Sequence, residues 1–221
     1  MSQENWFEKL FINEAKPALD RHSGGGGDTK YTLDEFIKFR GCKYLFYNCT
    51  TLTTIPEFDT SDVTDMVCMF ESCSRLTTIP EFNTSNVTNM ERMLEYCVNL
   101  KTVPKLDMSN VTNTSNMFAN CRNLTDVRLK NIKVALTVGS GTSYGHLLTV
   151  DSLLHLIGEL VNTGSTKRLT IGTANMSKLA NIYVRVTDSD DPKLPFTVCE
   201  STDEDRELIT QYVNAKNWEL A

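Results

Sequence analysis

The chain has no basic cluster: its 22 lysines and arginines are scattered and outnumbered by 28 acids, for a net charge of −6 over 221 residues. That balance excludes a grip on nucleic acid, because neutralising phosphates takes grouped cations. No apolar run approaches the roughly 18 residues a membrane helix needs, so no membrane partner is expected. The first residues carry acids where an export signal carries bases, and no small-residue cleavage site follows. Synthesis in the cytoplasm without a signal peptide is the expectation.

Chemistry is equally thin. Histidine occurs only as His22, His146 and His155, and no Gly-x-Ser-x-Gly, phosphate-binding loop or His-Glu-x-x-His is present. No enzyme activity, catalytic residue or cofactor is expected. His155 should face out of its helix. Asp188, Asp190 and Asp191 make a turn-rich acidic loop, but it lacks the spaced pattern and closing glutamate of a calcium loop. Gly24 to Gly27 follows no strand and reads as a linker. The seven cysteines are an odd number and form no ligand-spaced pairs, so no metal site or disulfide framework is expected.

What the chain does have is a period. Cys49, Cys73, Cys97 and Cys121 recur every 24 residues, with Leu52, Leu76, Leu100, Leu124 and Ile55, Ile79, Val103, Val127 in phase. A cysteine recurring at one position is most simply a small buried residue in a narrow ladder. A fixed period of this size predicts a solenoid. Within it, Val63, Met66, Met69, Phe70 and Cys73 step by three or four, predicting a short helix that Thr60 or Ser61 caps. Leu76 and Ile79 flank Thr77 and Thr78 in a short β-branched stretch ended by Pro80. The expected fold is α/β: a solenoid with short parallel strands on one face and short helices on the other, coils roughly 4.8 Å apart. The polar runs around Ser85 and Ser109 fill the return and satisfy backbone donors, their glycosylation sequons at Asn86 and Asn110 being by-products of the turn.

Around this repeat block, assigned to residues 31–138, three further segments are expected. Trp6, Phe7, Leu10 and Phe11 form one stripe of a helix in residues 1–22, followed by a Gly-rich linker at 23–30. The helix either docks or oligomerises, or packs as a cap. Thr32 and Glu35 open a degenerate first repeat through Phe39 and Cys42. Residues 139–221 form an irregular capping coil, with a helix from Leu147 to Val161 and a strand from Arg168 to Gly172. A protruding hairpin at about 181–199, a last helix from Ser201 or Thr202 through Asn214 and a closing strand at Trp218 to Leu220 complete it.

In a repeat protein, a partner is encoded where the letters change. The candidate binding positions are Thr53, Glu57, Thr77, Glu81, Lys101, Lys105 and Thr125 on the strand side, the usual recognition surface of such stacks. On the other side the changing pairs are Val67-Cys68, Glu91-Arg92 and Ser115-Asn116.

The repeat from Leu45 to Val127, clearest at Asp59-Thr60-Ser61-Asp62-Val63-Thr64-Asp65-Met66, resembles the leucine-rich repeat of BspA-type bacterial surface proteins. It is also similar to repeats in virion and fibre proteins of phages of gut bacteria. Thr114 departs from the pattern, standing where Met66 and Met90 stood. The segments Leu148 to Leu153, Leu169 to Leu179 and Lys216 to Ala221 resemble the tail of such phage proteins. The resemblance implies a non-enzymatic virion protein, in a fibre, tail or head decoration, that displays a recognition domain for a host-surface glycan or protein. Its N-terminal helix would join other virion proteins or sibling chains in a homo-oligomer. The alternative is an intracellular or surface interaction module of a bacterium.

Overall fold

The computed structural model describes residues 37, 41–55, 57–138, 148–171, 179, 183–185, 197–199 and 207–220. Trp6, Phe7, Leu10 and Phe11, the glycine linker, His22, His146 and Asp188 to Asp191 lie outside them. Among the described residues the architecture mixes parallel strands with helix, and no barrel closes.

The repeated letters make backbone bonds between neighbouring repeats. Met66, Cys68, Phe70 and Ser72 donate their N–H groups to the carbonyls of Asn89, Glu91, Met93 and Glu95 at 2.7–2.9 Å. Their equivalents Tyr44, Phe46 and Asn48 do the same to Val67, Met69 and Glu71, and Arg92, Leu94 and Tyr96 to Ser115, Met117 and Ala119. The intervening donors stay local: Met69, Glu71 and Cys73 bond to Met66, Cys68 and Phe70.

This alternation corrects the helix expected over Val63 to Cys73. A helix sends every N–H back four residues, whereas here every second one leaves the segment altogether. The segment is instead a ribbon of tandem turns. In turns 66–69 and 70–73 the third residue, Cys68 and then Ser72, has φ of 53° and 65°, as a type II turn demands. The same two places in the other repeats hold Tyr44 and Asn48, Arg92 and Tyr96, Asn116 and Asn120, all with φ between 53° and 62°. Turns in tandem bring back a buried residue every three or four positions, so Met66, Met69, Phe70 and Cys73 imitate a helical stripe.

On the opposite side the repeats meet in parallel. Thr102–Asp107 (β1) pairs with Asp126–Lys130 (β2), and before them Thr78 makes a single bridge to Thr102. Strand pairing in the earlier repeats is thus reduced to isolated bridges. The short strands expected in every repeat appear as strands only from Thr102 onward, where each chain has a hydrogen-bonded neighbour over several residues.

The core lies between ribbon and strands. Leu52, Leu76, Leu100 and Leu124 are fully buried, and so are the four periodic cysteines. Phe46 stacks on Phe70 with ring centres 5.4 Å apart, and Phe82 stands against both Phe70 and Phe58. The cysteines also bond: the thiols of Cys73, Cys97 and Cys121 donate to the carbonyls of Phe46, Phe70 and Leu94 at 3.0–3.1 Å.

After β2 the ladder is closed by Val150–Gly158 (α1), capped by the Thr149 hydroxyl, which accepts from Ser152 N–H. Ser152 Oγ accepts the N–H of Val127, His155 Nε2 donates to Leu129 O at 2.8 Å, and Glu159 Oε2 accepts from Asn131 N–H. Helix side chains thus stand in for the next strand. His155 points into this contact and is half-buried, which corrects the expectation that it faces out. Beyond α1, Leu136–Thr137 (β3), Lys167–Thr170 (β4) and Trp218–Leu220 (β8) form a parallel sheet in the order β3-β4-β8. Tyr183–Arg185 (β5) pairs antiparallel with Thr197–Cys199 (β6) and with Glu207–Leu208 (β7). The last helix is Ile209–Ala215 (α2), shorter than the span expected from Ser201, because Glu207 and Leu208 are taken up in the β5–β7 pairing. Trp218 closes the end, its ring buried and its Nε1 donating to Val161 O.

Candidate functional site

All seven strand-side candidates, Thr53, Glu57, Thr77, Glu81, Lys101, Lys105 and Thr125, are exposed. Three of them stand side by side on one backbone ladder: Lys101 N–H donates to Thr77 O and Thr125 N–H to Lys101 O, each at 2.9 Å. Thr125 Oγ1 spends its hydroxyl on the same Lys101 carbonyl. The ladder is a row of threonines and a lysine.

Among the described residues a concave feature lies on the ribbon. A cleft of about 360 Å³ opens where three successive repeats place their variable letters together. Lys43, Tyr44 and Tyr47 supply one wall, Val67, Cys68 and Glu71 the middle, and Asn89, Glu91 and Arg92 the other wall. Each contribution comes from the same part of the repeat, so the tandem turns decide which letters meet. Tyr44, Cys68 and Arg92 occupy one left-handed position in three consecutive repeats.

The charges in and under the cleft answer one another. Arg92 reaches two buried carboxylates, Glu95 at 3.2 Å through Nε and Glu71 at 3.8 Å through a terminal nitrogen. Burial lifts the Glu95 carboxyl above its usual range, with Arg92 opposing and Glu71 adding to the rise. Lys43 pairs with Asp65 at 3.8 Å and stands 5.7 Å over the Tyr44 ring. Tyr44 and Tyr47 meet edge to face at 5.9 Å. Glu91 Oε2 accepts from Asn113 at 3.1 Å, and its N–H is fixed by the Asn89 side chain at 3.0 Å. Burial and then the neighbouring Glu71 push the Cys68 thiol up to about 12. At neutral pH it stays protonated, so it is no nucleophile. The ladder thiols follow the same rule, Cys121 reaching about 12 and Cys97 rising well above the ordinary value through burial.

Among the described residues no group of three histidines, cysteines or acids could hold a metal ion. No helix among them is long and apolar enough to cross a membrane. What the site offers is rings, planar hydrogen-bonding groups and cations that are each paired with an acid.

The strand-side candidates and the cleft are different surfaces. The sequence did mark Val67-Cys68 and Glu91-Arg92 as changing letters, but not Tyr44, Tyr47 or Glu71. The signal for these was the column itself: Tyr47, Glu71, Glu95 and Ala119 occupy one phase of the repeat and change from an aromatic to two acids to a methyl group.

The class so defined is a repeat protein with mixed turn-ribbon and parallel-strand architecture. Residues 40–138 match a family model described as a Mycoplasma protein of unknown function, DUF285, a family related to BspA-like repeat proteins. No curated protein and no solved structure matches the chain.

Proposed function

We propose that residues 31–138 wind as a leucine-rich-repeat solenoid and serve as a non-enzymatic recognition module, carried on a phage particle by the segment before it. The observation that carries the reading is the division of labour within the repeat. Letters that recur are buried or hydrogen-bonded to the next repeat, while letters that change stand on the ribbon, at 67–68, 91–92 and 115–116, and on the strand side at Lys101 and Lys105. Tyr96 is the sharpest case: an aromatic, 46% exposed, in a left-handed conformation with φ of 59° where the neighbouring repeats use serine and asparagine. Holding a tyrosine there costs about 1 kcal/mol or more. Exposed tyrosine and arginine are the residue types that dominate binding energies, and Arg92 lies one turn before it. The virion setting is supported by the resemblance of the repeat and the tail segments.

The full chain, labelled and applied to a panel of gut bacteria, is expected to bind cells of at least one. Tyr96→Asn should lose that binding while Thr77→Ala keeps it. The reverse pattern would move recognition to the strand side, and binding to no cell would remove the host-surface reading. Deleting residues 1–27 should abolish incorporation into particles and leave a folded, soluble product; unchanged incorporation rejects the virion setting.

A further inference from the structure

We propose that the ribbon cleft between Lys43, Tyr44, Tyr47, Glu71, Glu91 and Arg92 is a saccharide subsite that takes a ring unit of an uncharged glycan. The proposal rests on the recognition reading above and gives it a ligand class and an address.

Size is the first constraint. At about 360 Å³ the cleft lies near the lower end of ligand sites, roughly 300 to 1,000 Å³. It admits a ring-sized unit with its substituents and is too small for a helix or a strand of a folded partner. The docking of a whole protein would use the flat surface around it, and the cleft would add little.

Charge is the second. Lys43 and Arg92 stand among four acids, Asp65, Glu71, Glu91 and Glu95, and each cation already faces an acid of its own: Asp65 for Lys43, Glu71 and Glu95 for Arg92. A phosphate or carboxylate would have to break one of these pairs, since no cation is in surplus. An ammonium or guanidinium ligand meets the opposite difficulty, because Glu71 is already engaged by Arg92 and Glu91 by the Asn113 amide. A neutral ligand disturbs none of them.

Hydrogen-bonding capacity is the third. The guanidinium of Arg92 presents donors in a fixed plane, the carboxylates of Glu71 and Glu91 present acceptors, and Asn89 carries both kinds. These groups are held by the protein: Glu91 by Asn113 and Asn89, Arg92 by two carboxylates. Preset donors and acceptors suit a ligand whose hydroxyls are each donor and acceptor, because little ordering remains to be done on binding. Two tyrosines that meet edge to face supply aromatic surface beside this polar array. A sugar ring has that same division, with C–H groups on its faces and hydroxyls around its edge. Tyrosine, apolar in its body and polar at its tip, matches both.

The test is titration calorimetry of the full chain with neutral oligosaccharides (maltopentaose, xylopentaose, mannopentaose, chitopentaose) beside anionic oligogalacturonate and cationic oligoglucosamine. At least one neutral sugar is expected to bind. Tyr47→Ala and Glu91→Gln should each weaken it by about tenfold, the effect of losing one good aromatic or polar anchor. Thr77→Ala, on the opposite side, should leave it unchanged. Thermal melts of the same variants separate lost contacts from lost fold, and the exposed Lys43→Ala gives a second, structurally mild variant. Preference for a charged sugar, binding insensitive to Tyr47 and Glu91, or no binding to any of the sugars overturns the proposal. If sugars fail while the chain still binds cells through Tyr96, the saccharide subsite falls and the recognition reading stands; loss of both rejects both.

Discussion

At the scale of single residues, polar side chains of the repeat complete backbone hydrogen bonds, some in the neighbouring repeat and some two residues on. Thr60 and Thr84 donate to the carbonyls of Asn83 and Asp107 at 3.0 Å, and Asn86 and Asn110 to those of Ser61 and Ser85. Asp59, Asn83 and Asp107 each accept the N–H of a serine two residues on. The reading of these runs as backbone satisfiers was available from the sequence, because short polar side chains have few other uses in a tight turn. What it could not show is that their partners sit about one period away. The carboxyls of Asp59 and Asp107 both lie below the ordinary value, Asp107 the further of the two. Burial pulls its carboxyl up, but bonds from Asn131 and Ser109 and the Lys130 ammonium at 3.3 Å outweigh it and leave the value at about 2. The folded value lies below the ordinary 3.8, so the stabilisation is complete above that pH and fades as pH falls toward about 2. Asp107→Asn should keep the turn, as Asn83 does for Ser85. It should cost roughly 2 kcal/mol at neutral pH, and the gap to the parent should nearly close by about pH 2. Urea titrations across that range check it, and a gap independent of pH would show that the charge contributes nothing.

At the scale of elements, α1 and the ribbon show opposite degrees of legibility. The apolar stripe Leu153, Leu156 and Ile157 predicted the helix α1, although Leu160, expected on the same face, lies past its end in a bridge to Ile132. The ribbon failed the same test for a physical reason. Tandem turns and a helix both bury residues at spacings of three and four, and only the destination of the amides separates them. The clue lay in Asn48, Asn116 and Asn120, a residue type that tolerates positive φ, recurring at two fixed places of the repeat. The function of α1 within the fold was hidden as well. Ser152, His155 and Glu159 fall on one face, and the structure lays that face along alternate residues, Val127 and Leu129 of β2 and Asn131 just after it. A sheet edge left open invites another chain; here polar side chains of a helix close it. Ser152 is completely buried and accepts the Val127 N–H at 2.9 Å. Ser152→Ala orphans that amide and should cost about 1–3 kcal/mol. Asp151→Ala, which removes a carboxylate 77% exposed from its pairing with Arg128, should cost under about 1 kcal/mol. Equal losses in the two denaturation curves would mean that α1 does not close the ladder through Ser152.

At the scale of the whole molecule, the period was the most legible feature and the binding surface the least. A repeat announces itself because its buried letters must recur: Leu52 to Leu124 and Cys49 to Cys121 each fill the same slot in successive repeats. The cleft has no such announcement, since it is assembled from letters that differ, brought together by turns that the pattern disguised. Both features depend on phase, and phase can be manipulated. Removing residues 85–108 joins Thr84 to Ser109, so Ser109, Asn110 and Val111 take the places of Ser85, Asn86 and Val87, and every inter-repeat bond finds a partner of the same kind. The shortened chain should unfold cooperatively, with a smaller denaturant m-value because less surface is exposed on unfolding. It also loses Asn89, Glu91 and Arg92, one wall of the cleft, and sets Ser115 and Asn116 beside Val67 and Cys68. Sugar binding should vanish while the fold persists. Removing only residues 85–96 carries the same number of cleft residues away but shifts everything after Thr84 by half a period. Leucines and cysteines would then face the turns of their neighbours, and the product should be unfolded by circular dichroism. A folded half-period deletion would show that neighbouring repeats are not held in register by the bonds described here.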